Sequence, residues 1–307
     1  MAEVNLNGKT LNVDDETARR MLNVAEKSDI SSLLDEFWTE DKLGKQSADL
    51  KHAHGSILLK DLQVDLDLFK EDLMSNRLKL GNFSSSLNSI MTGTKLKDDL
   101  KSSYIQDCLS VNTVRPAIGK GEFLFAASFR NIGFSKSSGD LVDLDTGSKI
   151  EVKGISACLG NSQNGRFKPM SKSLIWSICR LLGIDDIADY YLNPDNAKKI
   201  KERIGLNRDL AVRVFTFLQN LREENEAIAK TAAKMYFEKK QLMKTVAAVH
   251  LYTYMKLERD QYLLLVNDEK FSIFRAPDNL YESYDIIDKL NLKSWREGDY
   301  GIKVSLR

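Results

Sequence analysis

The chain has 307 residues, 42% hydrophobic and 29% charged, with four prolines, a composition that excludes disordered and collagen-like classes. It is long enough for one large core or two smaller ones. The formal net charge of +1 says little about partners, because a balanced total can hide local patches.

No apolar run approaches the roughly 20 residues of a membrane helix, so no membrane partner is expected. The opening MAEVNLNGKTLNVDDE is too polar and acidic for a secretory signal. Cys108, Cys158 and Cys179 are odd in number and widely spaced, which fits free thiols in a reducing compartment. The expected location is the cytoplasm, that of the host cell if the chain is viral.

In chain order, VNLNGKTLNV reads as a hairpin about Asn7-Gly8. Asp14 or Asp15 then caps a helix through ETARRMLNVAEKS, and a second helix is expected near SSLLDEFWTEDKL. The stretch SILLKDLQVDLDLFKEDLMSNRLKL suits strand pieces or, by the spacing of Leu66, Phe69, Leu73 and Leu80, a helix. The polar run GNFSSSLNSIMTGTK is expected as a loop or linker. Residues 1–100 thus read as a mainly helical N-terminal region without a chemical motif. In it, His52 and His54 form His-Ala-His in polar surroundings and are expected to be exposed, since no further metal ligands lie nearby.

From about Ser102 the character changes. A helix carries Cys108, a Gly119/Gly121 loop follows Pro116, and a helix opens at Glu122. Two short strands come next, one after Gly139-Asp140 and one over Ile150-Glu151-Val152-Lys153. A long helical tract at about 160–240 reads as an insertion. His250 lies in the next helix as a helix residue with an internal hydrogen bond, and Tyr252 and Tyr254, which cannot share one helix face, are core and boundary residues. YLLLVN and KFSIFRA make a hairpin through Asp268-Glu269, and GIKVSLR closes the chain as a strand. The expected fold class is α/β, a mixed sheet flanked by helices over 101–307, with the helical N-terminal region and helical insertion added to it.

Chemistry concentrates between Gly119 and Gly160. Side chains alternate along a strand, so Glu151 and Lys153 share a face and Val152 turns to the other. A hairpin through Asp145-Thr146-Gly147 would bring Asp140 to the Glu151–Lys153 end; Asp143 and Asp145 themselves read as turn acids. Hard divalent ions such as Mg²⁺ take carboxylate oxygens. Asp140 and Glu151 could hold one, with the Val152 carbonyl as a further ligand, and Glu122 could complete the set or bind a second ion. Such an ion acidifies a bound water and stabilises charge on a phosphate, and Lys153 can orient that water or neutralise the charge. Between Glu151 and Asp185 there is no acid, yet Lys153, Arg166, Lys168, Lys172 and Arg180 are present. Lys120, Arg166, Lys168 and Lys172 are candidates for holding a nucleic-acid backbone.

This order resembles the PD-(D/E)XK nuclease superfamily, in which a helix-borne Glu precedes Pro-Asp and then acid-x-Lys on the next strand. Glu122, Asp140, Glu151 and Lys153 match, and Gly139 stands where the family has proline. The resemblance covers about residues 115–155, with the helix near 246–256 and strands near 262–275 as completion of a restriction-endonuclease-like core. It implies a hydrolase: a Mg²⁺-dependent deoxyribonuclease, Mn²⁺ substituting, with DNA as partner and Glu122, Asp140, Glu151 and Lys153 as catalytic residues. The alternative is a nucleic-acid-binding or structural assembly protein, phage-derived or otherwise viral, that retains the fold without catalysis. Exonuclease branches of the superfamily carry a Gln and a Tyr one helical turn apart after the Lys; Gln163 stands near that place, with Phe167 instead of the Tyr, so the resemblance implies it as a substrate contact. Endonucleolytic or exonucleolytic action, and assembly as a homodimer or larger, are left open.

Overall fold

The computed structural model of the chain describes residues 2–6, 9–13, 30–46, 49–61, 66–91, 98–114, 118–119, 121–137, 139–154, 157–159, 202, 226–292 and 302–307. They divide into two compact units: residues 1–79 with 86–147, and residues 80–85 with 148–307.

The first unit opens with the expected hairpin, β1 (Ala2–Leu6) antiparallel to β2 (Lys9–Val13). The helix expected over 16–28 lies outside the described residues. Residues 30–37 are helical, and a separate short helix, α1 (Glu40–Leu43), follows. The single helix expected here breaks because Thr39 turns extended and accepts a hydrogen bond from Lys42 N at 3.3 Å, starting α1 anew. The ambiguous stretch resolves into two helices, α2 (Asp49–Asp61) and α3 (Leu66–Ser75). Further on come α4 (Asp98–Val114) and α5 (Glu122–Ser128), whose residues Phe123 to Ser128 are all buried. A three-residue pair completes the unit: β4 (Ile132–Phe134) runs antiparallel to β5 (Leu141–Asp143).

Aromatic rings organise this core. Trp38 stacks between Phe123 and Phe134, with centroids 6.0 and 6.3 Å away and planes within 17°. Backbone closeness supports it. A Cβ on Gly133 would lie 2.8 Å from Lys42 Cα, and Gly44, at φ +59°, comes so near Phe134 that a Cβ would be 2.1 Å from its carbonyl oxygen. Only glycine fits at either position.

The second unit holds β6 (Lys149–Lys153) parallel to β8 (Tyr262–Val266), with β9 (Lys270–Arg275) antiparallel to β8. The expected β8–β9 hairpin is present, and the run YLLLV is buried along four of its five residues, as a central parallel strand requires. The polar run expected as a loop instead contains a strand, β3 (Phe83–Ser86), and a 3₁₀ turn over Leu87–Met91. Cross-strand partners explain the difference. Phe83 meets the Phe271 ring edge-on at 5.9 Å, Ser84 and Ser272 share a 2.6 Å hydrogen bond, and Asn82 Oδ1 accepts from Arg275 N at 2.7 Å.

In the second unit the strands form a mixed sheet in the order β3-β9-β8-β6, flanked by helices, and in the first unit β5 pairs with β4. Two helices of the second unit are α6 (Glu226–Lys239), the described end of the expected helical tract, and α7 (Leu242–Glu258). The third, α8 (Leu280–Asp288), has a reciprocal cap. Asn279 Oδ1 accepts from Tyr281 N and Glu282 N at 3.0 Å, and Glu282 Oε2 in turn accepts from Asp278 N at 2.9 Å. A second, three-stranded sheet runs β10 (Leu290–Leu292), β11 (Ile302–Leu306), β7 (Ala157–Leu159). No described helix is long and apolar enough to cross a membrane.

Candidate functional site

Strand β6 has the alternation that places its polar pair. Ile150 and Val152 are 0% and 5% exposed on one side, while Glu151 and Lys153 share the other. Parallel pairing with β8 sets Glu151 beside Leu263 and Lys153 beside Leu265, both buried leucines. A carboxylate in such apolar surroundings needs partners. Glu151 has two, and both meet the same oxygen: Lys153 Nζ and the Tyr254 hydroxyl each donate to Oε1. Tyr254 is buried in the last two turns of α7, and Lys153 Nζ lies 5.7 Å from the centroid of its ring. Among the described residues no donor reaches Glu151 Oε2. Lys153 is half-buried, so its ammonium sits between this apolar wall and solvent.

In the first unit, Glu122 is the first residue of α5, and its carboxylate turns back on its own loop. Oε1 accepts from Gly119 N at 2.9 Å, and a Cβ on Gly119 would lie 2.1 Å from that oxygen. Asp140 directly precedes β5. Its backbone carbonyl accepts from Ser135 N at 3.1 Å, closing a loop that includes Gly139 at φ +81°. Its side chain is half-exposed. Of the candidate nucleic-acid contacts, Lys120, Gln163, Arg166, Lys168 and Lys172 all lie outside the described residues.

The donor set of carboxylates and a carbonyl has the chemistry of a hard divalent-ion site. Among the described residues, no three His, Cys, Asp or Glu side chains come together in one metal-holding group.

The turn acids behave as expected. Asp143 is buried and accepts from Asn131 Nδ2 at 2.9 Å, Thr146 Oγ1 at 2.8 Å and Asp145 N at 3.2 Å, while Asp145 pairs with Arg77. Asn131 in turn brackets Leu78, accepting from its N at 2.9 Å and donating to its O at 3.0 Å.

The histidine expectation is corrected in half. His52 is exposed, but His54 is fully buried, because helix α2 turns it onto Trp38 and Tyr104, residues that spacing alone does not bring to it. Beside it sits an unanticipated buried lysine. Lys42 donates to the backbone carbonyls of Phe129 and Ile132, the latter closely, and lies 4.3 Å from the Phe37 centroid. Burial, helped by Arg130, holds its pKa well below that of an ordinary lysine. Of the two tyrosines expected as core and boundary residues, Tyr254 is the buried one; its hydroxyl bond to Glu151, 103 residues away, leaves no mark in local pattern.

No protein-family model matches the chain, and no curated protein or solved structure matches it either.

Proposed function

We propose that this chain is a metal-dependent nuclease that hydrolyses DNA phosphodiester bonds on a restriction-endonuclease-like core. The observation that carries the reading is the Glu151–Lys153 pair: a buried carboxylate and a half-buried ammonium on one side of strand β6, with one carboxylate oxygen left without a donor among the described residues. Mg²⁺, or Mn²⁺ in its place, would supply a positive charge at the phosphate and a bound water of lowered pKa. Glu151, Asp140, Glu122 and the Val152 carbonyl are the oxygen donors proposed for it. Lys153 carries the cation that neutralises charge on the phosphate or orients the water. Lys120, Gln163, Arg166, Lys168 and Lys172 hold the DNA. A cytoplasmic setting belongs to the same proposal.

A second reading, a nucleic-acid binder or assembly protein without catalysis, draws support from Glu122, whose carboxylate caps Gly119 N. Cleavage of circular and linear DNA in Mg²⁺ or Mn²⁺ separates the two, comparing wild type with Asp140→Asn. Metal-dependent cutting that the substitution abolishes supports the nuclease. Folded wild type that binds DNA and cuts in neither metal moves the conclusion to the binder.

A further inference from the structure

Two donors meet on Glu151 Oε1, and they differ in how firmly the fold holds them. Lys153 brings its ammonium on a four-carbon stem and keeps 24% of its side chain exposed, so it can swing toward an arriving anion. Tyr254 is 2% exposed, sits on the 17-residue helix α7, and has only two side-chain torsions, so its hydroxyl stays where the helix puts it.

We propose that Tyr254 is a positioning residue for the nuclease site. Its hydroxyl holds Oε1 of Glu151, fixes the carboxylate so that Oε2 is the oxygen presented to a divalent cation, and keeps Oε1 bonded when Lys153 turns to the phosphate. The inference rests on the nuclease reading above. Partners of this kind behind a metal ligand change affinity by about 10–100-fold when removed.

The test uses the full chain and Mn²⁺ as probe, with binding followed by calorimetry and by the electron-spin signal of unbound Mn²⁺, with no DNA present. Tyr254→Phe keeps the ring and its packing and removes only the hydroxyl. The expected result is Mn²⁺ binding weakened about 10–100-fold. In DNA cleavage, the metal concentration for half-maximal rate should rise in parallel, while the rate at saturating metal stays near that of wild type. Tyr254→Phe that binds Mn²⁺ as wild type does would overturn the positioning role. Glu151→Gln that binds Mn²⁺ as wild type does would overturn the nuclease reading instead, and the inference with it.

Discussion

Trp38 Nε1 donates a 2.9 Å hydrogen bond to His54 Nδ1, and that bond decides the tautomer of the imidazole. With Nδ1 accepting, the proton of neutral His54 sits on Nε2 and is donated to Tyr104 Oη at 3.0 Å; Tyr104 in turn donates to Ala127 O at 3.1 Å. A second proton on His54 would set an N–H against the Trp38 N–H. Burial, with nearby Lys42, pushes the His54 pKa from 6.5 down to about 3.

A depressed histidine contributes stability that is fully present above its unfolded pKa and lost as pH falls toward its folded one. The wild type should therefore weaken from about pH 6.5 downward, by up to about 1.4 kcal/mol per pH unit from this group. His54→Gln should be less stable at pH 7.5 and lose less on acidification. Urea midpoints of both proteins at pH 7.5, 6 and 5 measure it, and parallel losses would contradict the assignment.

Lys42 gives an alkaline counterpart. Its pKa is lowered, so its contribution is full above the unfolded value of 10.5 and declines as pH falls through the folded value. Stability should rise between pH 7 and 10. Lys42→Met should flatten that rise while lowering stability at pH 10, since loss of the Lys42 donor to Ile132 O costs about 1–3 kcal/mol, whereas Phe129 O keeps Ile132 N at 3.2 Å. Thermal melts across that range provide the check.

Gly133→Ala should cost about 1–3 kcal/mol, because the new methyl must displace Lys42 backbone atoms at 2.8 and 2.9 Å rather than a flexible side-chain end. Gly147→Ala is the comparison: its φ of +73° carries strain, but nothing lies within 4 Å of the added carbon. Denaturation of both should show the larger loss at Gly133.

Asp143→Ala should destabilise by roughly 2–4 kcal/mol, since it strips a buried acceptor from Asn131, Thr146 and Asp145 N. As a turn acid it should leave Mn²⁺ affinity, measured on folded protein, within a few-fold of wild type. A collapse of affinity as large as that of Glu151→Gln would assign Asp143 to the metal.

Much of this fold was legible because the signals are local. The β8–β9 hairpin shows in two apolar runs around Asp268-Glu269, the start of α5 in the glycines before Glu122, and strand β6 in the alternation around Glu151 and Lys153. What failed depended on distant partners. His54 reads as polar surface beside His52, and only Trp38 and Tyr104 make it core. Phe83–Ser86 has a loop composition, and its strand exists through β9. Tyr254 carries no sign of Glu151 in its neighbourhood. The local alternation that puts Glu151 and Lys153 on one face says nothing about which helix covers that face.

The bond between Ser84 and Ser272 spans 188 residues of chain. During synthesis at about 5–20 residues per second, strand β3 would leave the ribosome roughly ten to forty seconds before its partner β9. An edge strand waiting that long is a template for the wrong neighbour, and its makeup suits the wait: three serines follow its one phenylalanine, so little apolar surface stands exposed. The composition that disguises β3 as a linker thus also protects the nascent chain from aggregation.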